Sequence, residues 1–320
     1  MQLHDKIYIA GHLGLVGSAL LRCLQNQGYG NLLYRKRTEL DLTQQAEVNA
    51  FFAQERPDHV FLAAAMVGGI HANNSYRGDF IYRNLMLQSN VIHAAYQHGV
   101  KRLLFLGSSC VYPRDCPQPI KEEYLLTGPL EATNEPYAVA KIAGFKLCEA
   151  YNAQYGTSFV TVMPTNLYGE NDNFNLENAH VIPALMRKFH EAKIFDKSQV
   201  TIWGSGTPLR EFLCVNDLAE ACVFIANQTQ KIPILNIGSG DEVSILDLAQ
   251  LLKQIVGYKG TLTFDSSKPD GTPRKLLDRT KIESLGWVPM IELEQGLRQT
   301  YQWFEKNYEI LSPQFEQVAK

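Results

Sequence analysis

Several things are missing from this sequence of 320 residues, and each absence closes off a class of function. No apolar stretch is long enough to cross a bilayer, so nothing suggests a membrane span. Positive charge is not in excess: 30 Lys and Arg stand against 33 Asp and Glu, a net charge of −3. That balance gives no electrostatic case for nucleic acid or for an anionic membrane. Cysteine is sparse. Cys23, Cys110, Cys116, Cys148, Cys214 and Cys222 form no CxxC pair and no framework spacing, so they read as reduced thiols, and we expect no metal. Met1 to Lys6 lead straight into a short strand, without the apolar segment of a secretory signal. With reduced thiols, this predicts a cytoplasmic protein. There is no internal repeat and no low-complexity segment.

What is present is an alternation of strand and helix patterns. Lys6 to Ala10 reads as a first strand, followed at once by Gly11-His12-Leu13-Gly14-Leu15-Val16-Gly17 and an apolar helix from Ser18 to about Gln25. Gly11 permits a tight turn, Gly14 lets the backbone approach a pyrophosphate, and Gly17 lets the helix lie close to the sheet. The spacing is GxxGxxG, not the GxGxxG of dehydrogenases with a separate catalytic domain. A glycine triplet alone says little; the flanking strand and helix make it a nucleotide-binding turn. A second strand, Asn31 to Tyr34, ends in Arg35-Lys36-Arg37. An acid there would hold a ribose 2′-hydroxyl, whereas cations favour a 2′-phosphate, so the cluster predicts NADP(H). Glu39 and Asp41 follow closely and pull the other way.

Asp58 to Ala65 is a third apolar run, ending in small residues that would let a cofactor pass close to the backbone. Residues 73–98 are helical in pattern, with an apolar stripe through Phe80, Ile81, Leu85, Leu87, Val91 and Ile92 that reads as core. Leu103 to Leu106 looks like a buried parallel strand and runs into Gly107-Ser108-Ser109-Cys110-Val111-Tyr112. Pro113 to Asn134 reads as a loop over the site, Tyr137 to Tyr151 as a helix, and Phe159 to Met163 as a strand ending in Pro164-Thr165-Asn166-Leu167. The fold class is therefore α/β, a Rossmann-type doubly wound parallel sheet. From about Glu170 the pattern breaks. His180 opens a helix, Val200 to Phe212 holds strand and glycine turn with Trp203 and Arg210, Asn216 or Asp217 would cap another helix, and Ile234 to Gly238 is strand-like. We expect residues 1–170 to form the nucleotide-binding domain, with late elements from about 213–238. Residues 171–320 would mainly form a smaller α+β substrate-binding domain, interleaved with the first.

The chemistry concentrates at two stretches. Small hydroxyl residues at the carboxyl end of a parallel strand stand where open α/β folds bind ligands. Tyr137 and Lys141, at i and i+4, share one helix face. A free phenol has a pKa near about 10, and a cation one turn away stabilises its anion. With Ser108 beside them, these groups can move a proton on and off a carbonyl or alcohol oxygen. Cys110 immediately follows the serines and is a candidate base; the other five cysteines read as structural.

The glycine turn, Gly107 to Pro113, Asn134 to Lys141, Pro164 to Gly169, His180 to Leu185 and Lys268 to Lys275 together resemble the extended short-chain dehydrogenase/reductases that act on nucleotide sugars. The resemblance runs over nearly the whole chain and implies an NADP-dependent enzyme that epimerises and reduces a 4-keto-6-deoxy GDP-sugar, as a homodimer through paired helices. It implies that Tyr137 donates a proton to O4, that Ser108 bonds the same oxygen, and that Lys141 lowers the tyrosine pKa and holds the nicotinamide ribose. Cys110 and His180 would be the acid/base pair for epimerisation at C3 and C5. Cofactor contacts would come from Gly11 to Gly17, Arg37, Leu106, Gly107, Ser108, Ser109, Lys141, Pro164, Thr165, Asn166, Leu167 and His180. Lys188, Trp203, Arg210 and Asp270 match positions that bind the GDP-sugar. One departure stands out: Leu13 occupies a place where family members often carry an arginine for the 2′-phosphate. A 4-epimerase or 4,6-dehydratase of the same family, or a dinucleotide-binding sensor without activity, are the competing readings.

Overall fold

A computed structural model describes residues 1–230, 232–267 and 270–315. Lys268 and Pro269, which open the last of the sequence motifs, lie outside the described residues. The first half of the chain alternates β1 (Ile7–Ala10), α1 (Leu15–Asn26), β2 (Leu32–Leu33), α2 (Gln45–Glu55), β3 (His59–Leu62), α3 (Ile70–Ser75), α4 (Arg77–Gln97), β4 (Arg102–Leu106), α5 (Glu135–Tyr155) and β5 (Phe159–Pro164). The second half holds β6 (Asn166–Tyr168), α6 (Val181–Ile194), β7 (Gln199–Trp203), β8 (Leu209–Cys214), α7 (Val215–Asn227), β9 (Ile234–Ile237), β10 (Glu242–Ser244), α8 (Ile245–Val256), β11 (Thr261–Asp265), β12 (Arg274–Lys275), α9 (Thr280–Ser284) and α10 (Leu293–Leu311).

Strands β1, β3 and β5 are buried on both faces, which is why they read as continuous apolar runs without alternation. They form the centre of a six-stranded sheet in the order β2-β1-β3-β4-β5-β9, with each neighbouring pair parallel. The chain leaves β1 toward β2 on one side and returns to β3 on the other. This reversal opens a crevice at the carboxyl ends of β1 and β3, where such sheets take ligands. One face carries α1 and α7, whose Leu20, Leu24, Leu218 and Cys222 pack on Ile9, Leu104 and Val162. The other carries α2, α4 and α5, which bury Phe52, Val91, Ile92 and Cys148 against Phe105 and Phe159. A separate core joins α6, α8 and α10 through Met186, Phe189, Leu248, Leu252, Leu297 and Phe304. Between the two lies β8, which pairs with β6, β10 and β12.

Local chemistry sets the helix ends. Helix α5 has proline in its first turn and ends at Gly156 in the left-handed region, with φ of 71°. It runs one turn beyond the expected Tyr151. The helical pattern of residues 73–98 is two helices, not one: it begins at Ile70 and breaks at Tyr76, just before Gly78 at the head of α4. The expected cap of α7 is also different. Cys214 occupies the cap position, and the Asp217 carboxylate instead accepts the backbone N–H groups of Met290 (3.1 Å) and Ile291 (2.9 Å), tying the segment before α10 to α7.

Candidate active site

The turn after β1 is built by steric exclusion. Gly11 has φ of +90°, and a Cβ there would stand 2.7 Å from the Ala64 nitrogen. At Gly17 a Cβ would lie 2.1 Å from the Gly11 carbonyl oxygen, so the helix can approach the turn only because that atom is absent. Gly17→Ala is therefore expected to cost roughly 1–3 kcal/mol of stability, read by urea unfolding, and to weaken NADPH binding, read by titration. Gly14 differs: its nearest neighbour would be the Gly11 oxygen at 3.6 Å, leaving the turn open on that side. Gly14 also caps α1 with no side-chain hydrogen bond, and the first turn holds no acidic residue. The leading N–H groups of α1, from Leu15, Val16 and Gly17, are thus available to an anion. His12 is buried and lies 4.7 Å from Tyr34 ring to ring; burial pushes its imidazole pKa down. Leu13 projects into solvent.

The three cations after β2 do not have equal freedom. The Arg35 guanidinium donates to Glu55 (2.8 Å) and lies over the Phe51 ring. Lys36 and Arg37 are exposed. The acids that pulled toward NAD are committed to local turns: Glu39 accepts the Lys36 amide (2.7 Å), and Asp41 accepts the Thr43 amide and hydroxyl. A helix terminus without its own acid, an open glycine turn and two exposed cations at the tip of β2 fit a dinucleotide carrying a 2′-phosphate.

At the carboxyl end of β4, Gly107 donates its N–H to the Val162 carbonyl, and a Cβ there would strike the Met163 sulfur at 2.3 Å. The chain therefore turns tightly into a 3₁₀ turn over Ser109 to Val111, whose N-cap is Ser108: its hydroxyl accepts the Cys110 amide (3.3 Å). Ser109 is buried. Tyr137 packs edge-on to Phe80 at 6.3 Å, with Cys110 and Met66 in the same cluster. Lys141 is also buried, donates to the Leu106 carbonyl (2.7 Å), and stands 5.7 Å from the Tyr137 ring centre. Serine, cysteine, tyrosine and lysine thus meet at one sheet edge. Asn84 on α4 holds the floor of the crevice, accepting the Met66 amide and donating to its carbonyl, and sequence reading had not singled it out.

The electrostatics depart from expectation. Burial raises the Tyr137 pKa, with the Cys110 sulfur pushing the same way, so Lys141 does not bring the phenol down. Lys141 is itself desolvated, its pKa lowered to about 8. A phenol kept protonated is what a proton donor needs. Burial likewise raises the Cys110 thiol on balance, against the pull of Lys275, the Ser108 hydroxyl and Lys141. His180 caps the start of α6 and stays open to solvent, yet enough protein surrounds it to lower its pKa, with Lys275 adding to the effect. The loop before it is pinned where Gly69 donates to the Asn178 carbonyl (2.9 Å). Lys275 was legible only as part of a motif; β12 brings it into the cleft that also holds Cys110, Glu131 and Asn134.

The remaining residues fall on two sides. Pro164 and Thr165 are buried and Asn166 and Leu167 half-buried where β5 passes into β6; Thr165 (3.2 Å) and Asn166 (2.8 Å) both donate to the Glu211 carbonyl. On the far side Lys188 donates to the Thr201 carbonyl (3.1 Å) and stands over the Trp203 ring at 5.4 Å. Asp270 accepts the Ser205 amide (2.7 Å) and hydroxyl (2.9 Å), while Arg210 reaches the Asp270 carbonyl (3.3 Å). Burial lowers the pKa values of Lys188 and Arg210. Two cations, a half-exposed indole and a carboxylate therefore gather on the side of the smaller core, a chemistry that suits a base and a diphosphate.

Known proteins resemble this chain in both sequence and fold. The chain is 60% identical over 302 residues to GDP-L-fucose synthase 1 of Arabidopsis thaliana, covering 94% of each chain. It is 55% identical over 312 residues to GDP-L-fucose synthase of Escherichia coli K12, covering 95% of this chain and 97% of that one. The crystal structure of a GDP-L-fucose synthetase from Naegleria fowleri bound to NADP superposes with a TM-score of 0.88 at 32% identity, over 97% of this chain and 96% of that one. The family model described as NAD dependent epimerase/dehydratase family matches residues 7–238. With the glycine turn, the serine strand and the tyrosine–lysine helix in place, the chain belongs to the NAD dependent epimerase/dehydratase family.

Proposed function

We propose that the chain is an NADP-dependent oxidoreductase with epimerase activity that converts GDP-4-keto-6-deoxy-D-mannose to GDP-L-fucose by 3,5-epimerisation and 4-reduction. The observation that carries this reading is the meeting of Cys110 with Tyr137 and Ser108 at the end of β4. A C4 ketone acidifies the protons on C3 and C5, because the carbanion delocalises into an enolate. Cys110, as thiolate, takes a proton from one face of the ring, and His180 returns one on the other. Ser108 and Tyr137 hold the developing O4 oxyanion throughout. NADPH, when bound, supplies the hydride for C4. The amides of the Gly11 to Gly17 turn would hold its pyrophosphate, Lys36 and Arg37 its 2′-phosphate, and Lys141 its ribose. Tyr137 then gives its proton to O4. Lys188, Trp203, Arg210 and Asp270 would hold the GDP moiety.

A dehydratase would need a free carboxylate beside the serine strand. Glu131 lines the same cleft, with its Oε2 accepting the Thr133 hydroxyl (2.5 Å) and the amides of Thr133 and Asn134, whereas Cys110 is the group that directly follows the serines. The homodimer and the cytoplasmic location belong to the same proposal. Supporting them are the exposed Tyr82 on α4 and Tyr155 on α5, and six cysteines that are all free. Among the described residues no helix is long and apolar enough to cross a membrane.

The test is an anaerobic mixture of protein, NADPH and GDP-4-keto-6-deoxy-D-mannose, followed by nicotinamide absorbance and product stereochemistry. NADPH consumption with GDP-L-fucose as product is expected, and NADH should serve less well. GDP-rhamnose as product would demote Cys110 and His180. No consumption would overturn the reading.

A further inference from the structure

We propose that Lys275 is a positioning residue for the carbon-acid steps: its ammonium group holds the Cys110 sulfur as the anion that takes a proton from the sugar ring. This rests on the epimerase half of the proposed function. The argument starts from β12, two residues long, whose parallel pairing with β8 sets Lys275 opposite Arg210. Its neighbour in the chain, Arg274, lines the Cys110 cleft but is exposed and makes a bidentate pair with Glu242, with contacts of 2.6 to 2.9 Å. Lys275 turns inward, into the cleft lined by Cys110, Glu131, Asn134 and Thr272.

No carboxylate takes the ammonium there. Lys275 has no ion pair or side-chain hydrogen bond among the described residues, although it is half-buried. The two carboxylates within its electrostatic reach are Glu211 and Glu131. Glu211 accepts the amides of Gly240 (2.8 Å) and Leu277 (3.1 Å), and Glu131 is held by Thr133 and Asn134. The other groups that face it are Arg210 on β8, Arg274 beside it on β12, Arg114 and Cys116 in the loop after β4, and His180 at the head of α6. Across the Cys110 sulfur stand Ser108, and Tyr137 and Lys141 on α5. A desolvated cation with no direct ion pair is costly, and an anion forming beside it offsets that cost. Cys110 is the group that can become that anion, and each charge favours the other: Lys275 draws the thiol pKa down and the sulfur draws the lysine pKa up. The same cation lowers the His180 pKa, making its imidazolium a readier acid. The thiolate takes the C–H proton as S–H and leaves the electron pair in the enolate.

The experiment reads the thiol directly. Wild type, Lys275→Met and Lys275→Arg are alkylated with iodoacetamide across a pH series, and the peptides are quantified after trypsin. Arg114 lies between Cys110 and Cys116, so the two thiols fall on separate peptides. Lys275→Met is expected to raise the apparent pKa of Cys110 by about one unit, slowing its alkylation about tenfold at neutral pH, and Lys275→Arg to keep the wild-type profile. An unchanged profile in Lys275→Met, or an equal shift in Lys275→Arg, overturns the proposal. Thermal unfolding and NADPH binding establish that each variant is folded, and Lys275→Gln substitutes for one that is not. No sugar is needed, so failure here is separable from failure of the function. Absence of deuterium exchange at C3 and C5 in wild type would overturn the epimerase reading, with the thiol titration still measured.

Discussion

Cys110→Ser is expected to slow solvent deuterium incorporation at C3 and C5 by about 10²–10⁴-fold, the span of a positioned acid–base group. The change removes one chemical property and little else. A hydroxyl is close in size to a thiol, and the contact that shapes the turn runs from the Cys110 amide to Ser108, which the substitution leaves in place. What is lost is a group able to ionise near neutral pH, since an unperturbed thiol has a pKa of about 8.5 and a hydroxyl lies far above it. The oxyanion donors remain. The variant should therefore still consume NADPH, with product reduced at C4 but not inverted at C3 and C5. Exchange of both protons at the wild-type rate would mean that another residue is the base.

Tyr137→Phe should produce the complementary pattern. Hydride transfer, followed by nicotinamide absorbance in a single turnover, is expected to slow by about 10²–10⁴-fold, because O4 loses the donor that protonates it. Exchange at C3 and C5 should fall less, since Ser108 still holds the enolate oxygen. The buried phenol has its pKa pushed up, so it stays protonated through the neutral range and across moderate alkali. The rate of reduction should show no loss attributable to Tyr137 as pH rises from neutral. A sharp loss just above neutrality would point instead to Lys141, whose own pKa is drawn down to about 8 and which, once neutral, no longer carries its charge beside the ring. An unaltered rate of hydride transfer in Tyr137→Phe would refute its assignment as donor.

Much of the site was legible because it rests on local rules. Gly11 and Gly17 are where they are because a Cβ would collide with the Ala64 backbone in one case and the Gly11 carbonyl in the other, and strand–turn–helix spacing carries that constraint. Ser108 and Cys110 lie within one turn, and Tyr137 and Lys141 lie on one helix face, so their spacing is itself a distance. The apolar runs of β1, β3, β4 and β5 announced a sheet covered on both faces. Less visible were features that depend on what a segment meets. The break at Tyr76 falls ahead of the apolar stripe, in a polar stretch with no periodic signal to mark it, and Asp217 has the residue type of a cap but bonds amides more than seventy residues away.

The sequence by itself determined the parallel α/β sheet, the nucleotide turn and the two halves of the tyrosine–lysine device, because each is encoded over a few neighbouring residues. The tertiary structure alone decided the electrostatics. How far burial raises the Tyr137 phenol and draws down the Lys141 ammonium depends on how much water the packed core excludes, which no spacing records. It also decided Lys275, which enters the cleft beside Cys110 because a strand of two residues pairs with β8. Long-range pairing and desolvation are properties of the assembled chain, and both of them act on the sulfur at position 110.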